Sequence, residues 1–165
     1  MPAYVALLRA VNVGGTGKLA MAELSAKCVA EGFTNVQTYI ASGNVVFVSK
    51  QSAAKVKAAL EKRLEPVSVM LRTADEMAAL ARLNPFPKAE PNRVMVLFLD
   101  GRPPADCLAD VKGRTNEAMR LGAREIFVYY PDGQGQSKLK IPAAAAGTAR
   151  NMNTVAKLAE MVAQL

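Results

Sequence analysis

The first 72 residues switch repeatedly between apolar runs, helical spacing and alternation, and each switch predicts an element. Tyr4 to Leu8 is an unbroken apolar run ahead of a glycine-rich segment, the pattern of a buried strand. Met21, Leu24, Cys28 and Val29 then recur at helical spacing, and Gly32 supplies the stop. Val36, Thr38 and Ile40 alternate with polar or exposed positions, as a strand does. Ser42-Gly43-Asn44 is a hairpin turn, and Val45 to Val48 is the return strand. Ser52 is a good N-cap for a helix with Val56, Leu60 and Leu64 inward and Lys55, Lys57, Lys62 and Arg63 mostly outward. Pro66 ends it, and Val67 to Leu71 is a fourth strand. The order β-α-β-β-α-β is the split βαβ, or ferredoxin-like, arrangement, in which two helices cover one face of a four-stranded antiparallel sheet.

Thr73-Ala-Asp-Glu76 is a capping box that opens a short helix with Met77 and Leu80 inward. Asn84-Pro-Phe-Pro87 and Pro91 stop that helix and mark a boundary. Beyond it the pattern varies the first half. Val94 to Leu99 is a buried strand, and Pro104 opens a helix that Gly113 ends. Glu117 to Leu121 and Glu125 to Tyr130 form a hairpin around Gly122. A loop at 131–138 is followed by an alanine-rich turn at Ala143 to Ala146 and a short strand at Thr148 to Arg150. A last helix from about Thr154 turns Val155, Leu158, Ala159, Val162 and Leu165 inward. The expected fold is therefore α+β: two ferredoxin-like (βαββαβ) lobes with mainly antiparallel sheets, the second incomplete or modified, plus a C-terminal helix. The expected segments are a first lobe over 1–73, a connecting helix and Pro-rich linker over 74–92, and a second lobe with the last helix over 93–165.

Composition narrows the chemistry. Apolar residues are 51% of 165 and charged residues 21%, ordinary for a folded globular chain. No run approaches the roughly 20 apolar residues needed to cross a bilayer, and Arg9 interrupts an N-terminus that lacks a basic leader region, so a cytoplasmic protein with no membrane partner is expected. Histidine is absent, which removes the commonest general base, Ser-His and Cys-His nucleophiles and most zinc sites. No metal and no cofactor is expected. Cys28 and Cys107 sit among apolar residues and read as small buried hydrophobes. The net charge of +7 is concentrated early: residues 1–72 hold nine basic and four acidic side chains, residues 73–165 twelve and ten. Such an excess attracts phosphates or nucleic acid, or is simply a solvated lysine-rich surface. Aromatics at 5% with no tryptophan give little support to a base-stacking platform.

Two polar groupings stand out. The first and second strands lead to the same end of the first sheet, so Arg9, Asn12, Gly14, Gly15 and Lys18 are expected beside Ser42, Gly43 and Asn44. Backbone N–H groups of a glycine loop and a following helix N-terminus favour an anion, and Arg9 and Lys18 add charge-assisted hydrogen bonds. The plainer alternative is a tight turn with Arg9 paired to a carboxylate. The loop is not a P-loop, since Asn12 replaces the first glycine and Leu19 the Mg²⁺-binding Ser/Thr. Gly15-Thr-Gly17-Lys-Leu-Ala20 matches a dinucleotide fingerprint by spacing, but the acidic residue that would hold a ribose is missing and the strand order is wrong. The second grouping is Ser137, Lys138, Arg150, Asn151, Asn153 and Lys157, a candidate anion site at the start of the last helix. Asn153 or Thr154 acting as an N-cap is the plainer explanation there.

Several of these segments together resemble one bacterial family: Tyr4-Val-Ala-Leu-Leu-Arg-Ala-Val-Asn-Val-Gly-Gly15, Met21-Ala-Glu-Leu24, Gly32-Phe33, Thr38-Tyr-Ile-Ala-Ser-Gly-Asn-Val-Val-Phe47, Asn84-Pro-Phe-Pro87, Tyr130-Pro-Asp-Gly133, Ser137-Lys-Leu139 and Arg150-Asn-Met-Asn-Thr154. The family is a domain of unknown function, number 1697. The resemblance implies a small bacterial cytoplasmic protein with two ferredoxin-like lobes, and it implies no activity. The stretch from Leu139 to Thr148 is shorter than the family pattern, and Met152 stands where an aromatic is common. Three functions follow as expectations. The leading one is binding of a phosphate-bearing small molecule or a nucleic-acid backbone at the glycine loop. The second is an enzyme acting on a phosphorylated or carboxylated metabolite, with Lys138 or a tyrosine as acid–base group. The third is an interaction module or homodimer pairing through a sheet face or edge.

Overall fold

The computed structural model describes residues 2–9, 19–40 and 43–165. These form two units, one of Met1–Leu80 with Ala156–Leu165, the other of Ala81–Val155. In the first, β1 (Ala3–Leu8), α1 (Met21–Ala30), β2 (Thr34–Thr38), β3 (Asn44–Val48), α2 (Ala53–Arg63) and β4 (Val69–Thr73) follow in the β-α-β-β-α-β order, with α3 (Ala74–Arg82) directly after β4. The sheet order is β2-β3-β1-β4, all antiparallel. Alternation along β1 puts Tyr4, Ala6 and Leu8 on the face covered by Leu24 and Cys28 of α1 and Val56 and Leu60 of α2. Phe47 joins them from β3, stacked on Phe33 at 4.4 Å between ring centroids. On the other face Val5, Leu7, Val46, Met70 and Arg72 are buried as well.

Local chemistry sets the ends of these elements. Ser52 caps α2 by accepting from the Lys55 N–H at 3.4 Å. Gly32 takes a φ of +86° past the end of α1, a region that glycine enters without steric cost. The capping box at β4–α3 is reciprocal: the Thr73 hydroxyl accepts from the Glu76 N–H at 3.2 Å, and the Glu76 carboxylate accepts from the Thr73 N–H at 2.9 Å. Two strands sit differently from the sequence expectation. β2 runs Thr34–Thr38 rather than Val36 to Ile40, because Asn35 at φ +54° bulges the strand between Thr34 and Gln37, while Ile40 at φ +53° has already entered the turn. β4 begins at Val69, because Val67 still donates to the Leu64 carbonyl.

The second unit repeats the sheet without the helices. Its strands β5 (Val94–Phe98), β6 (Ala118–Leu121), β7 (Glu125–Tyr129) and β8 (Thr148–Asn151) are ordered β6-β7-β5-β8, which is β2-β3-β1-β4 again. Register repeats too. Val5 of β1 faces Val46 and Arg72; Val96 of β5 faces Phe127 and Arg150. The buried Arg72 and Arg150 thus hold the same place in the two sheets, and each is followed by a helix, α3 in one case and α4 (Met152–Ala163) in the other. What fails to repeat is the helical cover. The helix expected from Pro104 to Gly113 is a 3-10 turn at Cys107–Asp110, because Val111 is already extended and Lys112 pairs with Lys140. Between β7 and β8 only 3-10 turns form, at Gln134–Gln136 and Pro142–Ala144. α4 starts two residues before Thr154, capped by Asn151, whose side-chain oxygen accepts from the Thr154 N–H at 2.9 Å. Cys28 and Cys107 are free and buried. No described helix is long and apolar enough to cross a membrane.

Candidate functional site

At the end of β1 the chain is held from both sides. The Leu8 N–H donates to the Gly43 carbonyl at 2.8 Å, and the Arg9 N–H donates to the Ser68 carbonyl at 2.9 Å. Arg9 therefore leaves the sheet between the β2–β3 turn and the loop ahead of β4, with its side chain exposed. The turn is fixed by Asn44, which is fully buried. Its amide donates to the Tyr39 carbonyl at 3.0 Å, and its own carbonyl accepts from the Tyr39 N–H at 2.9 Å. Gly43 at φ +93° closes the turn on the Ile40 carbonyl at 3.4 Å. Ile40 is 48% exposed and β-branched, and its positive φ is a strained conformation for such a residue. Of the first grouping, Arg9, Gly43 and Asn44 are thus brought together. Asn12, Gly14, Gly15, Lys18 and Ser42 lie outside the described residues.

The second grouping is spread over three places. Ser137 donates its hydroxyl to the Glu117 carboxylate and accepts from the Leu139 N–H at 3.1 Å. Glu117 also accepts from the Thr115 N–H at 2.7 Å, and Ser137 and this backbone contact hold its carboxyl down at about 2. Lys138 is exposed beside Gly113. Arg150 is on β8, donating to the Thr148 hydroxyl at 2.7 Å and to the Ala149 carbonyl at 2.8 Å, and burial lowers its guanidinium to about 10. Since Arg150 faces Val96, it lies on the sheet face opposite Leu97. Asn151 caps α4, Asn153 is exposed, and Lys157 reaches Glu160 at 3.9 Å.

Lys138 instead joins a basic cluster that the sequence reading missed. Lys112 and Lys140 exchange two backbone hydrogen bonds of 2.9 and 2.8 Å. That short antiparallel bridge gathers Lys112, Arg114, Lys138 and Lys140, all exposed, on two adjacent segments. Gly113 makes the approach possible: its φ is +70°, and a Cβ there would meet the Lys138 carbonyl oxygen at 2.1 Å. The glycine between two basic residues was the available signal, and a long-range pairing of isolated residues hides it from periodicity. A small aromatic grouping was also missed: Phe86 lies 5.9 Å from Tyr129, with the Arg120 guanidinium 5.7 Å from the Phe86 ring.

A doubled four-stranded antiparallel sheet, helix-covered in one copy and stripped to 3-10 turns in the other, with a polar turn beside Arg9, defines a two-lobed α+β protein of the ferredoxin-like class. The chain belongs to the family described as protein of unknown function (DUF1697), whose model matches residues 1–127. It is similar to the conserved bacterial protein SP0830 from Streptococcus pneumoniae, at 26% identity and a TM-score of 0.79 over 98% of both chains. No curated protein matches it.

Proposed function

We propose that the protein binds a phosphate-bearing small molecule where β1 leaves the first sheet, with Arg9 and Lys18 as cationic contacts and Asn12, Gly14, Gly15, Ser42, Gly43 and Asn44 shaping the loop walls. The observation that carries the reading is the anchoring of Arg9: its backbone is fixed on the Ser68 side, Leu8 is fixed on the Gly43 side, and its side chain is exposed. An exposed guanidinium on a fixed stretch of backbone, next in sequence to a glycine-rich segment, can donate charge-assisted hydrogen bonds to a phosphate's oxygens. The rigid Asn44 turn supports it, because that amide is spent on the hairpin and keeps the neighbouring backbone in place.

Calorimetric titration with inorganic phosphate, ATP and a single-stranded oligonucleotide tests the reading. Saturable binding of phosphate or ATP that weakens at least tenfold in Arg9→Ala and in Lys18→Ala is expected. It should weaken further with added salt, as for any site built on exposed cations. Oligonucleotide binding that exceeds ATP binding would move the ligand to a nucleic-acid backbone. If both variants leave all anion binding unchanged, the site is not there.

A further inference from the structure

The second unit carries a cavity of about 530 Å³ whose floor is Leu97 and Tyr130 and whose wall is Leu139 and Ile141, with Lys112 and Lys140 at its edge. The repeat explains why it exists. In the first sheet the corresponding face is sealed by α1 and α2. In the second, the segments between strands form only 3-10 turns, so the face is covered by side chains of irregular chain, Leu108, Val111, Leu139, Ala143 and Ala144, rather than by two helices. Apolar surface of this kind is normally closed by larger side chains. Here the closing segment, 142–145, is proline followed by alanines. The volume lies within the usual range of small-molecule sites.

We infer that this cavity is a binding site for a small apolar carboxylate, with the hydrocarbon part on Leu97, Leu139 and Ile141 and the carboxylate at Lys112 and Lys140. The charge pattern selects that class. Among the described residues neither lysine has an ion-pair partner, and Lys138 adds a third cation to the same bridge, while the Arg114 guanidinium donates to the Glu117 carbonyl at 2.8 Å. The nearby carboxylate of Glu117 is occupied by Ser137 and Thr115. A ligand without charge would gain only the apolar floor. A bare phosphate would gain only the exposed lysines, so this site is separable from the one proposed at Arg9.

Competition for bound 1-anilinonaphthalene-8-sulfonate tests it, with octanoate, decanoate and decanol as displacing ligands on the full chain. Decanoate should displace the dye at submillimolar concentration, more tightly than octanoate by about fourfold per methylene that remains inside, and at least tenfold more tightly than decanol. Lys112→Gln with Lys140→Gln should weaken decanoate about fivefold to tenfold and leave decanol unchanged. Ala144→Leu, which fills the cavity, should abolish displacement by both. The lysine pair is exposed, so that double variant decides the matter even if Ala144→Leu fails to fold. Equal displacement by decanoate and decanol, indifference to the lysine substitutions, or no displacement at 1 mM would each overturn the inference. Arg9→Ala should leave decanoate binding intact; its loss there would also overturn the assignment to this cavity.

Discussion

Replacing Gly113 by alanine isolates the contact that builds the basic bridge. The new Cβ would lie 2.1 Å from the Lys138 carbonyl oxygen and 2.8 Å from its carbon, both backbone atoms. Relief requires the 112–114 and 138–140 segments to part, which removes or distorts the two hydrogen bonds between Lys112 and Lys140. Each is worth about 1 kcal/mol net, and an L-residue at φ +70° costs roughly another 1–2 kcal/mol. The sum is about 3–4 kcal/mol. Gly32→Ala supplies the control: its φ is +86° just past the end of α1, but nothing lies within 4 Å of the added Cβ, so only the conformational cost of about 1–2 kcal/mol applies. Urea denaturation monitored by circular dichroism should show Gly113→Ala at least 1 kcal/mol less stable than Gly32→Ala. Equal losses would refute the claim that the Gly113 position is sterically determined by Lys138.

Three further outcomes follow from the same contacts. Thr73→Ala removes the acceptor for the Glu76 N–H and should cost about 1 kcal/mol in urea denaturation, with Glu76→Ala less than additive on top of it; full additivity would mean the box is not reciprocal. Glu117 is held at about 2 by Ser137 and Thr115, well below its ordinary 4.5, so the native state binds fewer protons there than the unfolded state does. Its contribution is present above about pH 4.5 and disappears as the pH falls toward 2; stability against pH should therefore be flatter across that window in Glu117→Gln than in the wild type. Burial pushes the Cys28 thiol up to about 12, so Ellman's reagent at pH 8 should leave Cys28 unmodified in the native protein and label it once urea unfolds the chain. Labelling by peptide mapping in native conditions would contradict the packing of α1 on the first sheet.

The first lobe was legible because local signals and the final contacts agree there. Ser52, Gly32 and the Thr73–Glu76 box act in the structure as their sequence positions suggest. The hairpin at Gly43 was also readable, although the Asn35 bulge moved β2 by two residues. The second lobe was readable in its strands and not in its connections. Residues Pro104 to Gly113 are expected to form a helix, but Val111 is extended and Lys112 pairs with Lys140, 28 positions away, and only one 3-10 turn survives. The same long-range pairing explains the candidate residues. Arg9 and the Gly43–Asn44 turn meet because strand order forces them together, which topology alone implies. Ser137 and Lys138 group with residues 112–117, while Arg150 lies on a strand facing the other side of the sheet. No spacing rule along the chain distinguishes those two outcomes.

Amide chemical-shift mapping on isotope-labelled protein tests the central claim most directly, because the two basic regions carry different backbone amides. Titration with inorganic phosphate and then ATP should shift Leu8, Arg9 and Gly43 in a saturable manner, with residues 10–19 and 42 among the largest changes. Shifts confined to residues 112–114 and 138–140, or none that saturate, would contradict an anion site at the end of β1.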